Sequence, residues 1–448
     1  MTDSTHDSRT WVHVTTLLQW NRPPVGIVRV EQEYCRWLLA QEPAQVGEIR
    51  FCRFDRTGGD FIEVPGQQVL AQIEAQALPL ADMPAPRPAP GRVALRQLIV
   101  RLPQPLAQLV HRAAAWRRQR RRPALALVRA FAARLRRPGR ELVAPFAPGD
   151  RLVSLGLDWD TLDQAALYRI KQRHRLVVTL MCYDLIPVLF PHLVVLPAGN
   201  FAAYIVDAAW CADRLVCISE CTRRDLETTL RRLGAPQPPT AVVHLGAQVA
   251  SGAAVAPAGL GDDPRPFVLF VSTIERRKNH ELLYRAWVRL RERGLAPHRL
   301  VLVGMSGWGV ADLLADLRLD PRIQGDILLL DRVTDAELAW LYRHCAFTVF
   351  PSLYEGWGLP VAESLACGKF CLASNAASLP EVGGPLIEYL DPWDLPAWVE
   401  RLAHYMAAPQ ALAAHEQRIA RDYQPPAWAD TAATIHRLVL AGAHAETA

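Results

Sequence analysis

Two glutamates, Glu355 and Glu363, are separated by seven residues in a glycine-rich segment at 351–368. Gly356 and Gly358 allow the backbone to turn tightly and to approach a ligand closely. A proline follows that suits the first turn of a helix, and a helix start attracts anions such as a diphosphate. Ionised carboxylates only accept hydrogen bonds, so the glutamates would bind hydroxyl groups of a phosphorylated sugar. The alternative interpretation is a capped surface helix in which Glu363 only complements the helix dipole.

Three consecutive basic residues, Arg276, Arg277 and Lys278, follow a predicted strand at 267–272. Loops that follow parallel strands meet at one edge of a doubly wound sheet, so this run should lie beside the Glu355 loop. Basic side chains next to the start of a helix would bind a diphosphate. Taken alone, the run could also be a solvated charge cluster that caps a helix.

The elements that position these loops are predicted from short apolar runs alternating with segments of helical periodicity. This alternation is typical of a parallel sheet covered by helices on both faces. Thr334 and Glu337 have the spacing of a capping box at the start of a helix. The predicted strands are 11–18, 48–54, 151–155, 175–181, 214–218, 240–245, 267–272, 299–303, 326–330, 347–350 and 369–373. Helices in the first half are predicted at 27–40, 162–172, 201–211 and 220–233.

The predicted fold class is α/β, with two Rossmann-like doubly wound domains facing a central cleft. A chain of 448 residues can form two or more domains at about 100–200 residues each. We expect the first domain at 1–250 and the second at 262–409, joined by a segment rich in Gly, Ala and Pro at 247–266. Such sheets bind ligands at the carboxyl ends of their strands, which would line the cleft.

The order and spacing of the loops in the second half resemble the retaining GT-B glycosyltransferases, in particular glycosyltransferase family 4 (group 1). Glu355 and Glu363 resemble the E-x7-E element of that family. The segment 277–279, Arg-Lys-Asn, resembles its donor-phosphate loop. The segment 379–383 resembles its S-x-P-E-x-x-G loop, and 331–335 resembles the turn that receives the nucleotide base.

The first half is similar to the same family at two loops. The segment 24–31 resembles the first strand-to-helix loop, and 179–187 resembles an H-D-x-x-P element near the reacting sugar. The 179–187 pattern, together with the later Arg-Lys-Asn at 277–279, looks most like the branch that contains the mannosyl- and rhamnosyltransferases of bacterial surface polysaccharide synthesis. Two positions depart from the family: Tyr183 stands where many relatives have His, and Thr273 where many have a basic residue. Lys278, with a neighbouring arginine, is then left to neutralise the diphosphate.

The resemblance implies a retaining hexosyltransferase whose donor is a nucleotide-diphosphate sugar, with no metal or other cofactor. The catalytic residues that it implies are Glu355, Lys278 and Asp184. The donor site that it implies consists of Gly26, Thr273, Arg277, Lys278, Val333, Glu355, Gly356, Trp357, Gly358, Leu359 and Glu363. Lys278 and the backbone of 356–359 would bind the diphosphate. Glu363 would bind the ribose, and Glu355 the transferred sugar. The residues at 410–448 would form a helical segment that packs back on the first domain.

The acceptor that the resemblance implies is a glycan or a polyprenyl-linked glycan, with Tyr183 as a candidate contact. Asp158 and Asp160 are further candidate contacts, on a loop that would face the cleft. Asp158 and Asp160 also have the D-x-D spacing of the metal site in the unrelated GT-A glycosyltransferases, and a plain turn is a third interpretation. Two other classes of protein stay open. A GT-B sugar-nucleotide epimerase or hydrolase would act without an acceptor. A non-catalytic, sugar-nucleotide-binding membrane adaptor would show no turnover, although the intact glutamate pair argues against it.

The segment from Arg87 to Arg140 contains fifteen arginines and no lysine, aspartate or glutamate. The whole chain has a formal net charge of +5, so the rest of the chain carries more acidic than basic residues. Apolar residues interleaved with the arginines give an amphipathic pattern that predicts binding to an anionic membrane surface, as an insertion at about 83–140. An insertion whose arginines have no such role is the alternative. Nucleic-acid binding is not expected, since no aromatic-interleaved module accompanies the charge.

Composition favours a globular protein of the cytosol. Hydrophobic residues make up 50% and charged residues 21%, which excludes wholesale disorder. The nine cysteines include no Cys-x-x-Cys pair, and no apolar run approaches the roughly 18 residues that span a bilayer. The polar N-terminus lacks the apolar core of a signal peptide. We therefore expect a cytoplasmic protein, peripheral on the inner face of the cytoplasmic membrane.

Overall fold

The computed structural model describes residues 8–21, 26–76, 144–194, 198–249, 254–260 and 263–441. Its strands are β1 Thr10–His13, β2 Ile49–Asp55, β3 Asp60–Val64, β4 Arg151–Ser154, β5 Val177–Cys182, β6 Arg214–Cys217, β7 Thr240–Val242, β8 Phe267–Val271, β9 Arg299–Val303, β10 Ile327–Leu330, β11 Phe347–Phe350, β12 Cys371–Ser374 and β13 Glu388–Leu390. The predicted arginine-rich insertion at 83–140 lies outside the described residues.

Helices connect and cover these strands. They are α1 Thr15–Gln19, α2 Ile27–Ala40, α3 Pro43–Val46, α4 Gly66–Gln76, α5 Asp158–Thr161, α6 Gln164–His174, α7 Ile186–Leu189, α8 Ala198–Cys211, α9 Glu220–Leu233, α10 His280–Glu292, α11 Ala311–Leu319, α12 Asp335–His344, α13 Leu359–Ala366, α14 Leu379–Gly383, α15 Leu395–Ala407, α16 Pro409–Asp422 and α17 Trp428–Ala441. Short 3₁₀ helices form at Pro191–Leu193, Ala258–Leu260, Arg276–Lys278 and Gly384–Leu386.

The strands form two sheets, each with the strand order of a doubly wound fold. The N-terminal sheet has the order β3-β2-β1-β4-β5-β6-β7, and the C-terminal sheet has the order β10-β9-β8-β11-β12-β13. All pairings are parallel except that of β2 with β3. The strand order reverses between β1 and β4 and between β8 and β11, which is where such sheets bind ligands. The predicted α/β, doubly wound architecture is confirmed.

The prediction of one strand over 11–18 was wrong beyond His13. The Thr15 hydroxyl lies 2.6 Å from Nε2 of His13 and accepts a hydrogen bond from the N–H of Phe54 at 2.8 Å. Such side-chain contacts compete with a strand ladder, and the chain turns here into α1. Two short strands were not predicted, β3 and β13, and both form edges of their sheets.

The core of each sheet is apolar. In the C-terminal domain, Phe270, Trp287 and Phe347 are fully buried between the sheet and its helices. The predicted capping box is confirmed: Thr334 accepts from the N–H of Glu337 at 3.3 Å, and the Glu337 carboxylate accepts from the N–H of Thr334 at 2.8 Å. The box fixes the start of α12, which covers the sheet beside the candidate site.

The last helix, α17, packs on α2 of the N-terminal domain. His436 lies 3.1 Å through Nε2 from the carbonyl of Val46, so Nε2 carries the proton. Its Nδ1 then accepts from the Tyr34 hydroxyl at 3.2 Å. Among the described residues, no helix is long and apolar enough to cross a membrane. All nine cysteines fall within the described ranges and none forms a disulfide.

Candidate functional site

The two loops singled out from the sequence meet at the strand-order reversal of the C-terminal sheet, as predicted. One follows β8 and the other follows β11. Lys278 Nζ lies 2.6 Å from Oε1 of Glu355, and an Arg277 guanidinium nitrogen lies 2.7 Å from Oε2. Glu355 is buried, and the two basic side chains are largely buried. Both oxygens of this carboxylate are therefore paired with a cation.

The charges within this cluster favour the ionised form of Glu355. Burial by itself would raise the pKa of Glu355, but the charges of Arg277 and Lys278 outweigh it and hold the pKa at about 2. Burial, followed by the charge of Arg277, lowers the pKa of Lys278, while Glu355 opposes that shift. The two cations repel each other, and Glu355 is the anion that holds them together.

Backbone contacts fix the loop that carries the cations. The side-chain amide of Asn279 donates to the carbonyls of Pro351 and Pro392 at 3.1 and 2.9 Å. Asn279 has a φ of 60°, a left-handed conformation that Asn tolerates better than most residues. The Arg277 guanidinium also donates to the carbonyl of Tyr354 at 2.8 Å. The basic loop is thus tied to the β11 loop and not free in solvent.

Glycines allow the β11 loop to approach its neighbours closely. A Cβ at Gly356 would lie 2.2 Å from the carbonyl oxygen of Tyr183, in the N-terminal domain. Gly358, at the start of α13, has a φ of 126°, which L side chains rarely adopt. Trp357 is buried between them and stacks on His244 with ring centroids 4.6 Å apart. These residues set the backbone at the start of α13, where Leu359 is the first helical residue.

Glu363 lies on α13 and is buried. Its Oε2 accepts from the Tyr342 hydroxyl at 2.9 Å, and its Oε1 lies 3.6 Å from a guanidinium nitrogen of Arg29. Burial raises the pKa of Glu363, and the charge of Arg29 partly offsets that effect. The sequence did not single out Arg29. Its only signal was its place three residues after Gly26, which lies exposed just before α2.

Asp184 lies beside the same cluster, from the N-terminal domain. Its carboxylate accepts from the N–H of Ile186 at 3.0 Å, and a Cβ at Gly356 would lie 3.2 Å from its Cβ. Burial raises the pKa of Asp184, while the charges of Arg277 and Lys278 lower it. Asp184 is therefore brought together with Glu355 and the two cations.

The candidate acceptor contacts all belong to the N-terminal domain. Burial raises the pKa of Tyr183, and Tyr183 lies close enough to Asp158 for the aspartate charge to raise that pKa further. Asp158 and Asp160 form part of the four-residue helix α5 and do not lie on an open loop. Asp158 is buried and accepts from the Ser154 hydroxyl at 2.6 Å, whereas Asp160 is exposed. The hydroxyl of the buried Tyr183 donates to the carbonyl of Leu155 at 2.5 Å. Within the described part of the chain, no three His, Cys, Asp or Glu side chains group closely enough to hold a metal ion.

The other predicted donor residues lie at the rim of the C-terminal sheet. Thr273 is exposed in the loop after β8, and Val333 is partly buried before α12. Arg276 is exposed beside Gly309, so Arg277 is the arginine that joins Lys278 at the glutamate.

The start of α9 joins the two domains and was only partly predicted. Ser219 caps this helix, and its hydroxyl also donates to the carbonyl of Gly356 at 2.7 Å. The N–H groups of Glu220 and Cys221 each donate to the Glu381 carboxylate at 2.7 Å. A carboxylate complements the positive end of a helix, so Glu381 stabilises the contact between the domains.

Comparison with known proteins supports one family for the C-terminal domain. Residues 257–405 match the family described as Glycosyl transferases group 1. O-antigen chain mannosyltransferase B of Escherichia coli is 37% identical over 131 residues, which are 29% of this chain and 34% of that protein. D-inositol 3-phosphate glycosyltransferase of Thermobispora bispora is 31% identical over 261 residues, 52% of this chain and 59% of that protein. The chain thus spans less than two thirds of the length of these relatives.

Several solved structures match nearly the whole chain, among them the following two. One is sucrose-phosphate synthase from Thermosynechococcus elongatus. The alignment covers 96% of this chain and 98% of that one, with a TM-score of 0.57 and 19% identity. Another is Anabaena HepE, solved in complex with UDP. The alignment covers 97% of this chain and 100% of that one, with a TM-score of 0.56 and 14% identity. At these identities the likeness concerns the fold, and it confirms the predicted GT-B architecture of two Rossmann-like domains.

Proposed function

We propose that the protein is a retaining glycosyltransferase of family 4 that moves a hexose from a nucleotide-diphosphate sugar to a glycan or polyprenyl-linked glycan. The observation that carries the proposal is the buried Glu355, held by Arg277 and Lys278 beside Asp184 at the strand-order reversal of a group 1 domain. The donor sugar that we propose is mannose or a related hexose. The name of the Escherichia coli relative, an O-antigen chain mannosyltransferase, supports that choice.

The roles follow from charge and position. Lys278 and Arg277 would bind the donor diphosphate together with the backbone at the start of α13. Glu355 would then accept hydrogen bonds from hydroxyls of the transferred sugar, and Glu363 from hydroxyls of the ribose. The diphosphate gains negative charge as it leaves, and fixed cations in a site shielded from water stabilise that charge. Asp184 lies where the sugar would react, and the acceptor would attack from the face that the diphosphate leaves.

A metal-free reaction is part of the proposal, since two buried cations already face the expected diphosphate. Attachment to the inner face of the cytoplasmic membrane is a further part and rests on sequence. The fifteen arginines between Arg87 and Arg140 would contribute about 1 kcal/mol each near anionic headgroups. A lipid-linked acceptor would then be reached from the membrane surface.

The first test is a binding screen with UDP, GDP and their sugar conjugates, read as thermal stabilisation, since a ligand that binds only the folded chain raises its melting temperature. We expect one nucleotide series to stabilise the chain. Release of the nucleoside diphosphate from the matching donor should then require a glycan acceptor and persist in excess EDTA. Release or epimerisation without an acceptor would favour an epimerase or hydrolase, and binding without turnover would favour an adaptor. Loss of activity in EDTA that Mg²⁺ restores would overturn the metal-free mechanism.

A further inference from the structure

Arg29 connects the N-terminal domain to the carboxylate of Glu363. It lies in the first turn of α2, and one guanidinium nitrogen is 3.6 Å from Oε1 of Glu363. Another guanidinium nitrogen donates to the carbonyl of Gln248 at 2.9 Å, in the crossing between the domains. The guanidinium also stacks over Trp428 of α17, 5.2 Å from the ring centroid. Two fixed contacts thus hold this charge in place beside Glu363.

Within the described ranges, one carboxylate oxygen of Glu363 has no hydrogen-bond donor and can accept from a ligand. Oε2 receives the hydroxyl of Tyr342 from α12. The 3.6 Å separation from Arg29 is longer than a hydrogen bond, so Oε1 feels the charge of Arg29 but keeps its lone pairs. This is the arrangement expected of a carboxylate that must stay ionised and still accept hydroxyls from a ligand.

Some of the groups around Glu363 raise its pKa and others lower it. Burial raises its pKa, and Asp335 at the start of α12 adds to that effect. The thiol of Cys367 follows on the same helix, and burial raises its pKa to about 11, so it is neutral. Among the described residues around this carboxylate, Arg29 supplies the opposing positive charge and Tyr342 the opposing hydrogen bond.

We propose that Arg29 is a positioning residue of the donor site: it keeps Glu363 ionised and oriented for the ribose hydroxyls of the donor nucleotide. The inference rests on the proposed function. It adds a contribution of the N-terminal domain to nucleotide affinity, through a side chain that need not touch the nucleotide.

The test is calorimetric binding of UDP and GDP to wild type and to Arg29→Met, from pH 6.5 to 8.5. We expect Arg29→Met to weaken binding of the preferred nucleotide about tenfold at neutral pH. The ratio of the two Kd values should increase as the pH falls, because Glu363 without Arg29 becomes protonated at a higher pH than in wild type. Arg29→Lys should restore part of the affinity and of the pH profile.

Two controls separate this role from a structural one. Arg36→Met removes an exposed arginine from the same helix and should leave binding unchanged. The 2′,3′-dideoxy form of the preferred nucleotide lacks the ribose hydroxyls, so Arg29→Met should bind it within twofold of wild type. Should Arg29→Met fail to fold, Arg29→Gln replaces it, since Gln can still donate to the Gln248 carbonyl.

The outcomes are distinct. Wild-type protein that binds neither UDP nor GDP overturns the proposed function, and the inference falls with it. Wild-type binding that Arg29→Met leaves within twofold, or weakens equally for the dideoxy nucleotide, overturns the inference and leaves the proposed function intact.

Discussion

The substitution Glu355→Gln tests two roles of this side chain. One is its ion pairing with Arg277 and Lys278, and the other is its proposed contact with the transferred sugar. The carboxylate pairs with Lys278 at 2.6 Å and with Arg277 at 2.7 Å. A neutral amide leaves two largely buried cations facing each other. Breaking a buried ion pair costs about 3–5 kcal/mol, and Arg277 keeps a second partner, Glu275, at 2.8 Å, which favours the lower figure. A pKa held at about 2 instead of the ordinary 4.5 also corresponds to about 3 kcal/mol.

The pH dependence of this loss has a definite sign. The pKa of Glu355 is depressed, so its stabilisation is fully present above about pH 4.5 and is lost as the pH falls towards 2. Urea unfolding should therefore find Glu355→Gln about 3 kcal/mol less stable than wild type at pH 7. The difference should shrink in acid. Glu281→Gln, which breaks an exposed pair with Arg285 in the same domain, should cost less than 1 kcal/mol, as about 0–1 is typical of such pairs.

Nucleotide binding by the Glu355→Gln variant shows whether Glu355 acts only by pairing with the two cations or also contacts the donor sugar. A diphosphate would neutralise the cations that Glu355→Gln leaves unpaired, so the variant should bind a nucleoside diphosphate at least as tightly as wild type. Turnover should fall. The variant should also no longer bind the nucleotide sugar more tightly than it binds the nucleoside diphosphate. Calorimetry with both ligands measures this. A variant as stable as wild type, or one whose nucleoside diphosphate affinity falls tenfold, would refute the reasoning.

Three further predictions concern other charges. Lys278→Ala should lower kcat more than donor affinity, since the leaving-group charge grows in the transition state; equal losses in steady-state kinetics and in calorimetry would contradict this. Glu31→Gln should stabilise the protein, because burial and then Asp158 raise the pKa of Glu31 and penalise its charged form. The free energy of unfolding, measured in urea, should exceed that of wild type by an amount that increases as the pH rises above 5. A variant less stable than wild type at every pH would contradict this. Replacing six arginines at 87–140 by Gln should abolish low-salt binding to anionic vesicles in co-sedimentation but spare transfer to a soluble acceptor; a wild type that ignores such vesicles contradicts the membrane interpretation.

The fold was predictable because both sheets are built from local signals. Helix α2 at Ile27–Ala40 and helix α9 at Glu220–Leu233 have the predicted bounds, since each has strong apolar periodicity. The failures have local causes as well. The strand predicted over 11–18 ends at His13, where hydroxyl contacts replace the ladder. Antiparallel β3 is a hairpin partner of β2 at the sheet edge, and a search for buried parallel strands does not find it.

Apart from Asp184, which the family resemblance supplied from the N-terminal domain, the site was predictable only where a single domain contributes its residues. The basic loop and the Glu355 loop both follow strands of one sheet, so topology alone brings them together. The pairing of Glu363 with Arg29 and the capping of α9 by Glu381 connect different domains. Neither motif spacing nor periodicity carries information about such contacts, because both describe residues that are near each other in the sequence.

The two glutamates of the motif obtain their counter-ions from different domains, and this difference has a consequence for how the site works. Glu355 is neutralised by cations of its own domain and stays ionised however the domains are arranged. Among the described residues, the positive charge beside the buried Glu363 is the Arg29 guanidinium, which comes from the other domain. If the ribose is bound by an ionised carboxylate, full nucleotide affinity then requires the two domains to be in contact, with Arg29 of α2 beside Glu363 of α13. Separation of the domains would leave the diphosphate clamp intact and weaken the hold on the ribose.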